Sequence, residues 1–505
     1  MDVKLASTPL PANKVSLLAI PLTEEELKKG CATLDAVDKR LKGALKKALK
    51  AEGFSGKALS SWSMHTHGKL PAERVVLIGL GKRAKADLEG LRKAAGVAAK
   101  AALKARAKSL AISLPGIGTP VDEVRATTEG LLLGSYRYDK WKSKPEEPKA
   151  QLRAAVIVGP TLGGKSAELA AALGLAKEIG RAVAWARDLV NEPGMTLTPA
   201  LLASAAKEAC AAAGCTVEVF ERNKIAELEM GMFLGVAQGS IEPPKLLRIC
   251  YTPKDKAAAK RPPLALVGKA ITFDSGGLSL KPADAMVDMK TDMAGSAAVF
   301  GAMQVIARVI KPSFPVHCFV GSCENMPSGT AYRPGDVLKA RNGKTVEITN
   351  TDAEGRLVLG DVLAWACEEK PIGILDLATL TGACVVALGN YTVGAFGDDE
   401  ELMEALLASA KTAGEDFWRL PMTPEVKENL KSDIADMKNS GSRWGGAISA
   451  AHFLQEFVGE TPFVHLDIAG PSSSEKERGY VQKGGTGVGV RTLVELVRRL
   501  DAPKL

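Results

Sequence analysis

Acidic side chains at three points of the chain are the residues best able to do chemistry. Asp274 follows an apolar run that predicts a strand, and Asp292 leads directly into a predicted helix. Asp352 and Glu354 lie between another predicted strand and the helix after it. In open α/β sheets, ligand sites form where strands end and helices begin. We therefore expect these four carboxylates to converge, together with Lys269 at the end of the first strand.

Each acid also has a purely structural interpretation. Asp292 is placed to cap a helix. Thr351 with Glu354 matches a capping box, in which Glu354 reaches back to the Thr351 amide, and Asp274 precedes two glycines and suits a turn. Capping does not require two acids at one junction, however. Four carboxylates in one pocket repel one another unless cations neutralise them, which a lysine and a pair of divalent ions would do.

A phosphate-binding loop is the main alternative site. Residues 159–166 match the P-loop pattern, with Lys165 and Ser166 in its last two positions, and they follow a predicted strand and precede a helical run. An NTPase of this kind also needs a downstream Mg²⁺-binding aspartate at the end of a strand. Asp376 and Asp467 are candidates for that role, and neither is specific. A P-loop NTPase therefore stays open as a rival function.

Two weaker motifs favour structural roles. Residues 79–84 resemble the dinucleotide-binding fingerprint, but no acidic strand end follows about twenty residues later, so a tight glycine turn is expected. His65 and His67 would point to the same side of a strand and could form a metal pair. Because no third ligand is nearby, a surface or structural role is favoured for them.

The elements that must position these residues alternate between strands and helices. This alternation predicts an α/β fold with an open, largely parallel or mixed sheet and helices on both faces. The clearest predicted strands are residues 75–78, 154–158, 264–267, 316–320, 346–349 and 374–377, and the clearest helices are residues 168–189, 294–310 and 356–369. We predict an N-terminal α/β domain at residues 1–160, a linker helix at 161–192 and a larger C-terminal domain at 193–505.

The composition is that of an ordinary globular protein with a basic excess. The chain has 505 residues, 25% of them charged, and a formal net charge of +8. Much of this excess lies in the lysine-rich stretch 82–108, which predicts a solvated helix face. A nucleic-acid-binding patch is the alternative, although no aromatic residues interleave with the lysines.

The cysteines and the N-terminus indicate a cytoplasmic protein. None of the eight cysteines forms a C-x-x-C pair, and most sit in apolar or helical runs, so we expect reduced core thiols. The N-terminus lacks the apolar stretch of a signal peptide. We also expect no apolar run long enough to span a bilayer, and hence no membrane partner.

Several stretches resemble the leucyl aminopeptidase (cytosol aminopeptidase) family, in its bacterial form. Residues 350–357, with the sequence NTDAEGRL, match the family signature without departure, and residues 268–282 (GKAITFDSGGLSLKP) resemble its metal-binding stretch. Further resemblance lies in residues 289–293, 376–382, 431–436 and 465–470. The resemblance extends over residues 180–500, whereas residues 1–160 are only loosely similar.

By this resemblance the site holds two divalent ions, with Mn²⁺ or Zn²⁺ the expected metals. The tighter ion would be bound by Lys269, Asp274, Asp292 and Glu354, and the more exchangeable ion by Asp274, Asp352 and Glu354. Two ions about 3.5–4 Å apart share a water, lower its pKa towards neutrality and so generate a hydroxide that attacks the scissile carbonyl. Carboxylate-rich coordination tolerates Mn²⁺, Mg²⁺, Co²⁺ or Zn²⁺.

The resemblance also implies roles for residues around the ions. Lys281 would stabilise the charge that develops on the gem-diolate, and Arg356 would hold a bicarbonate that serves as general base. The pocket for the first side chain of the substrate would be lined by Met289, Thr379, Gly382 and Ala469. The expected activity is thus hydrolysis of N-terminal, preferably leucine-like, residues from short peptides.

The family implies a fold and an assembly as well. We expect a small macro-like N-terminal α/β domain and a larger C-terminal mixed-sheet α/β metallopeptidase domain. The resemblance also implies homohexamers whose active sites face an inner cavity. Some bacterial members bind DNA as architectural proteins, so DNA binding by the basic N-terminal domain is a third hypothesis.

Overall fold

The computed structural model describes residues 1–143, 151–159, 162 and 166–502, and within them the chain folds into two compact units. The first consists of Met1–Ala184 with Glu475–Lys483, and the second of Trp185–Ser474 with Gly484–Leu505. The boundary falls inside the long helix Ala167–Asn191, which the amphipathic pattern at residues 168–189 predicts. The expected two-domain α/β organisation is confirmed.

A six-stranded sheet forms the centre of the first unit. Its strands run parallel, except that the last is an edge strand paired antiparallel with its neighbour. In sheet order the strands are Asp2–Ala6, Ala154–Val158, Ser109–Ser113, Leu17–Leu22, Arg74–Gly79 and Ser61–His65. The other helices of this unit are Glu24–Lys29, Ala32–Arg40, Ala44–Ala51, Leu88–Lys104 and Pro120–Gly134.

Small residues let helices Leu88–Lys104 and Pro120–Gly134 approach each other closely. Alanines make up most of the buried face of the first helix, and Gly130 of the second lies against its backbone. A Cβ atom at Gly130 would stand 2.1 Å from the carbonyl oxygen of Arg92, so only glycine fits there. The fully buried Glu129 accepts hydrogen bonds from Arg92 and Arg125, which pairs the charges inside this unit.

A mixed sheet of nine strands forms the centre of the second unit. In sheet order eight of them are Phe417–Arg419, Val393–Phe396, Phe463–Asp467, Gly373–Ala378, Leu264–Gly268, Val316–Asn325, Lys245–Tyr251 and Thr216–Phe220. The ninth, Ala270–Asp274, pairs in parallel with Val316–Asn325. Smaller sheets are formed by Val337–Lys339, Thr345–Glu347 and Met437–Lys438, and by Ser473–Ser474 with Gly484–Gly485.

Helices surround this mixed sheet. They are Pro199–Ala213, Arg222–Glu227, Gly231–Ala237, Ala283–Met286, Ala294–Val305, Gly355–Cys367, Gly382–Leu388, Glu400–Ala413, Pro424–Lys427, Gly446–Gln455 and Val490–Asp501. Every residue of helix Ala294–Val305 is buried, which explains why its sequence is apolar on all sides. By length and composition alone, Ala283–Ile310 is apolar enough to cross a membrane, but 83% of its most apolar window is buried inside the protein, as in a core helix.

Two of the junctions that carry the acids differ from the sequence prediction. The strand predicted at residues 346–349 is the shorter strand Thr345–Glu347, which belongs to the three-stranded sheet and not to the main one. Asp274 ends a short strand of its own, Ala270–Asp274, with an irregular register before it. Such short strands depend on their tertiary partners more than on local sequence, so their sheet could not be predicted.

Candidate metal centre

Lys269 lies at the centre of the site, directly after strand Leu264–Gly268. Its side chain is 4% exposed, and its Nζ lies 2.7 Å from Asp292 Oδ2 and 2.9 Å from Glu354 Oε1. The same nitrogen donates to the carbonyl oxygen of Thr379 at 3.0 Å. Burial alone would lower the pKa of this amine, but the surrounding carboxylates raise it above its ordinary value.

Asp274 enters the site from the end of strand Ala270–Asp274. It is buried, and its Oδ1 accepts hydrogen bonds from Asn325 Nδ2 (2.8 Å) and from the amide of Gly276 (2.9 Å). The turn interpretation is therefore correct in part, because Asp274 does hold the turn that follows. Its Oδ2 remains directed at the ammonium of Lys281, 2.8 Å away.

Asp292 does not cap the helix that follows it. Helix Ala294–Val305 has Met293 at its N-cap position, with no side-chain hydrogen bond. The carboxylate turns instead towards the site, where Oδ1 accepts from Lys269 Nζ (2.8 Å) and from Thr379 Oγ1 (2.7 Å). Burial, opposed only in part by Lys269, raises the pKa of this carboxyl.

Asp352 and Glu354 lie in the loop before helix Gly355–Cys367. The capping box proposed for Thr351 and Glu354 does not form, because the Glu354 carboxylate is buried and paired with Lys269. A Cβ atom at Gly355 would stand 2.3 Å from Cε of that lysine, so the glycine makes room for it. Burial first, and the charge of nearby Asp274 second, raise the pKa of Glu354.

The loop is anchored by residues that the sequence analysis missed. Thr351 donates its hydroxyl to the carbonyl of Gly276, and its own carbonyl accepts from Asn325 and from the buried Tyr332. Asn439 donates to the carbonyl of Asn350 at 2.7 Å. Because these partners lie far from the signature in sequence and carry no motif of their own, only the fold reveals them.

The three oxygens that Asp274, Asp352 and Glu354 can offer lie within 4.8 Å of one another. Among the residues that the structure describes, this is the one group of three or more histidine, cysteine or acidic side chains with such a geometry. Oε2 of Glu354 is buried and has no hydrogen-bond partner in the described chain. A buried carboxylate oxygen without a partner is costly, so the donor set fits divalent cations.

Two further cationic residues predicted for the reaction border this cluster. Lys281 is 15% exposed, and its Nζ lies 2.5 Å from Asp352 Oδ1. Arg356, in the first turn of helix Gly355–Cys367, is buried and donates from Nη1 to the carbonyl of Asn439 at 2.9 Å. Burial lowers the pKa of its guanidinium to about 10. Its Nε is buried without a partner in the described chain, which leaves a donor for an anion.

The four predicted pocket residues lie on three segments near the cluster. Thr379 touches it directly, through its hydroxyl on Asp292 and its carbonyl on Lys269. Met289 lies in the turn Met289–Thr291 just before Asp292, half-buried. Gly382 is exposed at the start of helix Gly382–Leu388, and apart from its own helix no described residue has an atom within 4 Å of an added Cβ.

The fourth pocket residue, Ala469, is half-buried just beyond strand Phe463–Asp467. The strand ends in the fully buried Asp467, whose carboxylate accepts from the hydroxyl of Thr381 (2.7 Å) and from the amides of Leu380 (3.3 Å) and Ala469 (3.1 Å). Asp467 therefore holds the loop after Thr379 and the residue Ala469 together.

The rival P-loop motif lies mostly outside the described residues, because residues 160, 161 and 163–165 are not among them. Lys165 lies outside the described residues, while Ser166 accepts from the amide of Leu169 with its hydroxyl and so marks the start of the helix. The two aspartates weighed with this motif have local partners: Asp376 is paired with His465 at 2.8 Å, and Asp467 accepts from the hydroxyl of Thr381 at 2.7 Å.

The dinucleotide-like motif and the histidine pair have structural explanations. After strand Arg74–Gly79 the chain turns at Gly81 (φ +74°), and the next α-helix begins only at Leu88, as a glycine turn requires. The rings of His65 and His67 lie 5.9 Å apart and are exposed. All eight cysteines are free thiols, as expected.

Sequence comparison relates this chain to cytosol aminopeptidases. Residues 184–494 match the catalytic domain of the cytosol aminopeptidase family, and residues 19–145 match its N-terminal domain. The chain is 48% identical over 462 residues to a probable cytosol aminopeptidase of Geobacter sp. (strain M21), covering 92% of this chain and 93% of the relative. It is 41% identical over 505 residues to the probable cytosol aminopeptidase of Aquifex aeolicus (strain VF5), covering 99% of both.

Solved structures show the same fold. A mutant of tomato leucine aminopeptidase superposes with a TM-score of 0.89 at 36% identity, covering 99% of this chain and 96% of that one. The bottromycin maturation enzyme BotP in complex with Mn superposes with a TM-score of 0.85 at 36% identity, covering 96% of this chain and 100% of that one.

Proposed function

Because the chain belongs to the cytosol aminopeptidase family and is a metal-dependent aminopeptidase, we propose a more specific activity. We propose that it removes leucine-like residues from the N-termini of short peptides. One observation carries the proposal. Four carboxylates and a lysine meet in a largely buried cluster, where one oxygen of Glu354 has no hydrogen-bond partner among the described residues. Two lysines balance only two of the four acids, and bound divalent cations would neutralise the remaining negative charge.

We assign the ligands of the two ions from the observed contacts and the family resemblance. The tighter ion would be held by Lys269, Asp274, Asp292 and Glu354, which lie together around the lysine, and the more exchangeable ion would be held by Asp274, Asp352 and Glu354. Oxygen-rich ligands with one amine suit Mn²⁺ or Zn²⁺, and Mn is present in the BotP complex. When bound, two such ions would supply an activated water and would polarise the scissile carbonyl.

Lys281 and Arg356 supply the remaining polar groups of the reaction. The ammonium of Lys281 lies beside Asp274 and Asp352, which supports a role in donating to the oxygen on which negative charge would develop. Arg356 carries a positive charge close to the cluster, and its buried Nε has no hydrogen-bond partner within the described part of the chain, which supports a role in holding a bicarbonate as general base. A bound anion of this kind would replace a protein base, because every carboxylate of the cluster serves the metals.

The preference for leucine-like residues follows from the pocket assignment. Met289, Thr379, Gly382 and Ala469 are small or apolar, except for the hydroxyl of Thr379, and that hydroxyl is turned to Asp292. A pocket with this lining excludes charge and accepts an aliphatic side chain. From the family resemblance we further propose a homohexamer. A cytoplasmic location is in keeping with the names of the relatives as cytosol aminopeptidases.

Hydrolysis of leucine p-nitroanilide tests the proposed activity. The purified chain loaded with Mn²⁺ should release nitroaniline, lose activity with a chelator and regain it with Mn²⁺. Glu354→Gln should abolish turnover, whereas Glu324→Gln, a matched change of a half-buried acid bonded to Ser240, should leave it intact. Activity that ignores the chelator, or survives Glu354→Gln, contradicts the assignment. ATP hydrolysis lost in Lys165→Ala would support the P-loop alternative.

A further inference from the structure

Thr379 contacts two of the proposed metal ligands with two different groups. It is the first residue after strand Gly373–Ala378. Its hydroxyl donates to Asp292 Oδ1 at 2.7 Å, and its backbone carbonyl accepts from Lys269 Nζ at 3.0 Å. The methyl group takes part in neither contact. A residue that only lined a side-chain pocket would not need either hydrogen bond.

Building on the two-metal site proposed above, we propose that Thr379 is a positioning residue of the metal cradle, the name used here for Lys269, Asp274, Asp292, Asp352 and Glu354 together. Its hydroxyl fixes the carboxylate plane of Asp292, and its carbonyl fixes the direction in which Lys269 presents its nitrogen. The same residue therefore joins the substrate side-chain pocket to the metal site through separate atoms.

The hydroxyl acts on Asp292 by restricting its rotation. Oδ1 of Asp292 accepts both from Thr379 and from Lys269, while Oδ2 lies 2.7 Å from the same lysine nitrogen. If the threonine hydroxyl is lost, the carboxylate is held by the lysine alone, which must itself ligate a cation. Outer hydrogen bonds of this kind commonly change metal affinity by about 10–100-fold.

The carbonyl acts on Lys269 because it can only accept hydrogen bonds. A lysine that ligates a cation uses its nitrogen lone pair and keeps two N–H bonds. One of these would be directed at the Thr379 carbonyl, so the lone pair would point away from that carbonyl, towards the side of the nitrogen that faces the carboxylates of Asp292 and Glu354. A neutral backbone carbonyl can orient the lysine nitrogen in this way without adding negative charge to an already acidic cluster.

The fold holds the Thr379 peptide in place for this task. The next two residues are tied to the buried carboxylate of Asp467, through the amide of Leu380 (3.3 Å) and the hydroxyl of Thr381 (2.7 Å). Asp467 lies on the neighbouring strand, directly opposite Ala378. The Thr379 peptide is therefore held on both sides, by the strand pairing of Ala378 before it and by the hydrogen bonds of Leu380 and Thr381 to Asp467 after it.

Titration of Mn²⁺ tests the proposal without measuring activity. Free Mn²⁺ is followed by its electron paramagnetic resonance signal for the wild type, Thr379→Val, Thr379→Ser and Thr272→Val. Valine keeps the branched shape and loses the hydroxyl, and serine keeps the hydroxyl and loses the methyl. Thr272 is the matched control, since its hydroxyl is buried two residues before Asp274 but bonds only weakly to the carbonyl of Cys323 (3.5 Å).

We expect Thr379→Val to weaken the tighter Mn²⁺ site by about 10–100-fold, with affinity restored in Thr379→Ser and unchanged in Thr272→Val. Thr379→Ser should instead raise KM for leucine substrates, because only the pocket loses an atom. Wild-type affinity in Thr379→Val, an equal loss in Thr379→Ser, or an equal loss in Thr272→Val overturns the proposal. A wild type that binds no Mn²⁺ would overturn the two-metal function itself. Thermal unfolding in chelator verifies that each variant is folded.

Discussion

Gly355 offers a sharp test, because it touches the lysine at the centre of the cradle. A Cβ atom added there would stand 2.3 Å from Cε and 2.7 Å from Nζ of Lys269, whereas ordinary contact begins at 3.4 Å. In Gly355→Ala the lysine must therefore retreat by about 1 Å to restore normal packing. The displaced atoms, Cε and Nζ of Lys269, are the ones whose position decides whether the amine can bind a cation.

This displacement should damage the site more than the fold. The atoms that the added methyl group would meet are at the far end of a flexible lysine side chain, so a change of its rotamer relieves much of the strain. We expect the free energy of unfolding to stay within about 1 kcal/mol of the wild type. A misplacement of about 1 Å in a catalytic group costs about 10²-fold in rate, so kcat/KM should fall about a hundredfold.

Two assays on one variant separate these effects. Leucine p-nitroanilide hydrolysis with saturating Mn²⁺ gives kcat/KM, and urea unfolding gives the stability. Gly174→Ala is the matched control, because Gly174 also lies in a helix, Ala167–Asn191, and no atom lies within 4 Å of its added Cβ. Full activity in Gly355→Ala would refute the placement of Lys269 as a ligand. A large loss of stability would indicate that Gly355 is required for folding and not specifically for the placement of Lys269.

Three further predictions address other parts of the account. Asn325→Ala removes a hydrogen-bond donor from Asp274 and from the Thr351 carbonyl. The free energy of unfolding in urea should therefore fall by about 1–3 kcal/mol, and an unchanged midpoint would contradict this. Lys281→Met should lower kcat about 10²–10³-fold with little change in KM, which steady-state kinetics would disprove if KM alone changed. Burial raises the pKa of Asp361 to about 7, so its contribution to stability is present below about pH 4 and is lost as the pH rises to about 7. Asp361→Asn should flatten that part of the unfolding pH profile, and an unaltered slope would count against it.

Much of the site was predictable because its residues lie in short motifs at chain junctions. Lys269, Asp274 and Asp292 each stand at the end of a strand or the start of a helix, and the structure brings them together with Asp352 and Glu354. Parallel strands direct their carboxyl ends to one edge of a sheet. The convergence of these residues could therefore be predicted from the pattern of strands and helices, as well as from the family resemblance.

What could not be predicted depends on contacts that are distant in sequence. The local pattern at Thr351 and Glu354 predicts a capping box, but pairing with the buried Lys269 outweighs a cap worth about 1 kcal/mol. Asn325 and Asn439 hold the signature loop from remote segments and carry no sequence signal. The three-residue strand Thr345–Glu347 likewise takes its place from its partners.

The most direct test of the central claim is a crystal structure of the Mn²⁺-loaded protein with anomalous data collected at the manganese absorption edge. We predict two anomalous peaks about 3.5–4 Å apart. One should lie against Lys269 and Asp292, the other should lie against Asp352, and both should contact Asp274 and Glu354. A single peak, or peaks outside this cluster at full Mn²⁺ occupancy and with aminopeptidase activity intact, would contradict the two-metal cradle.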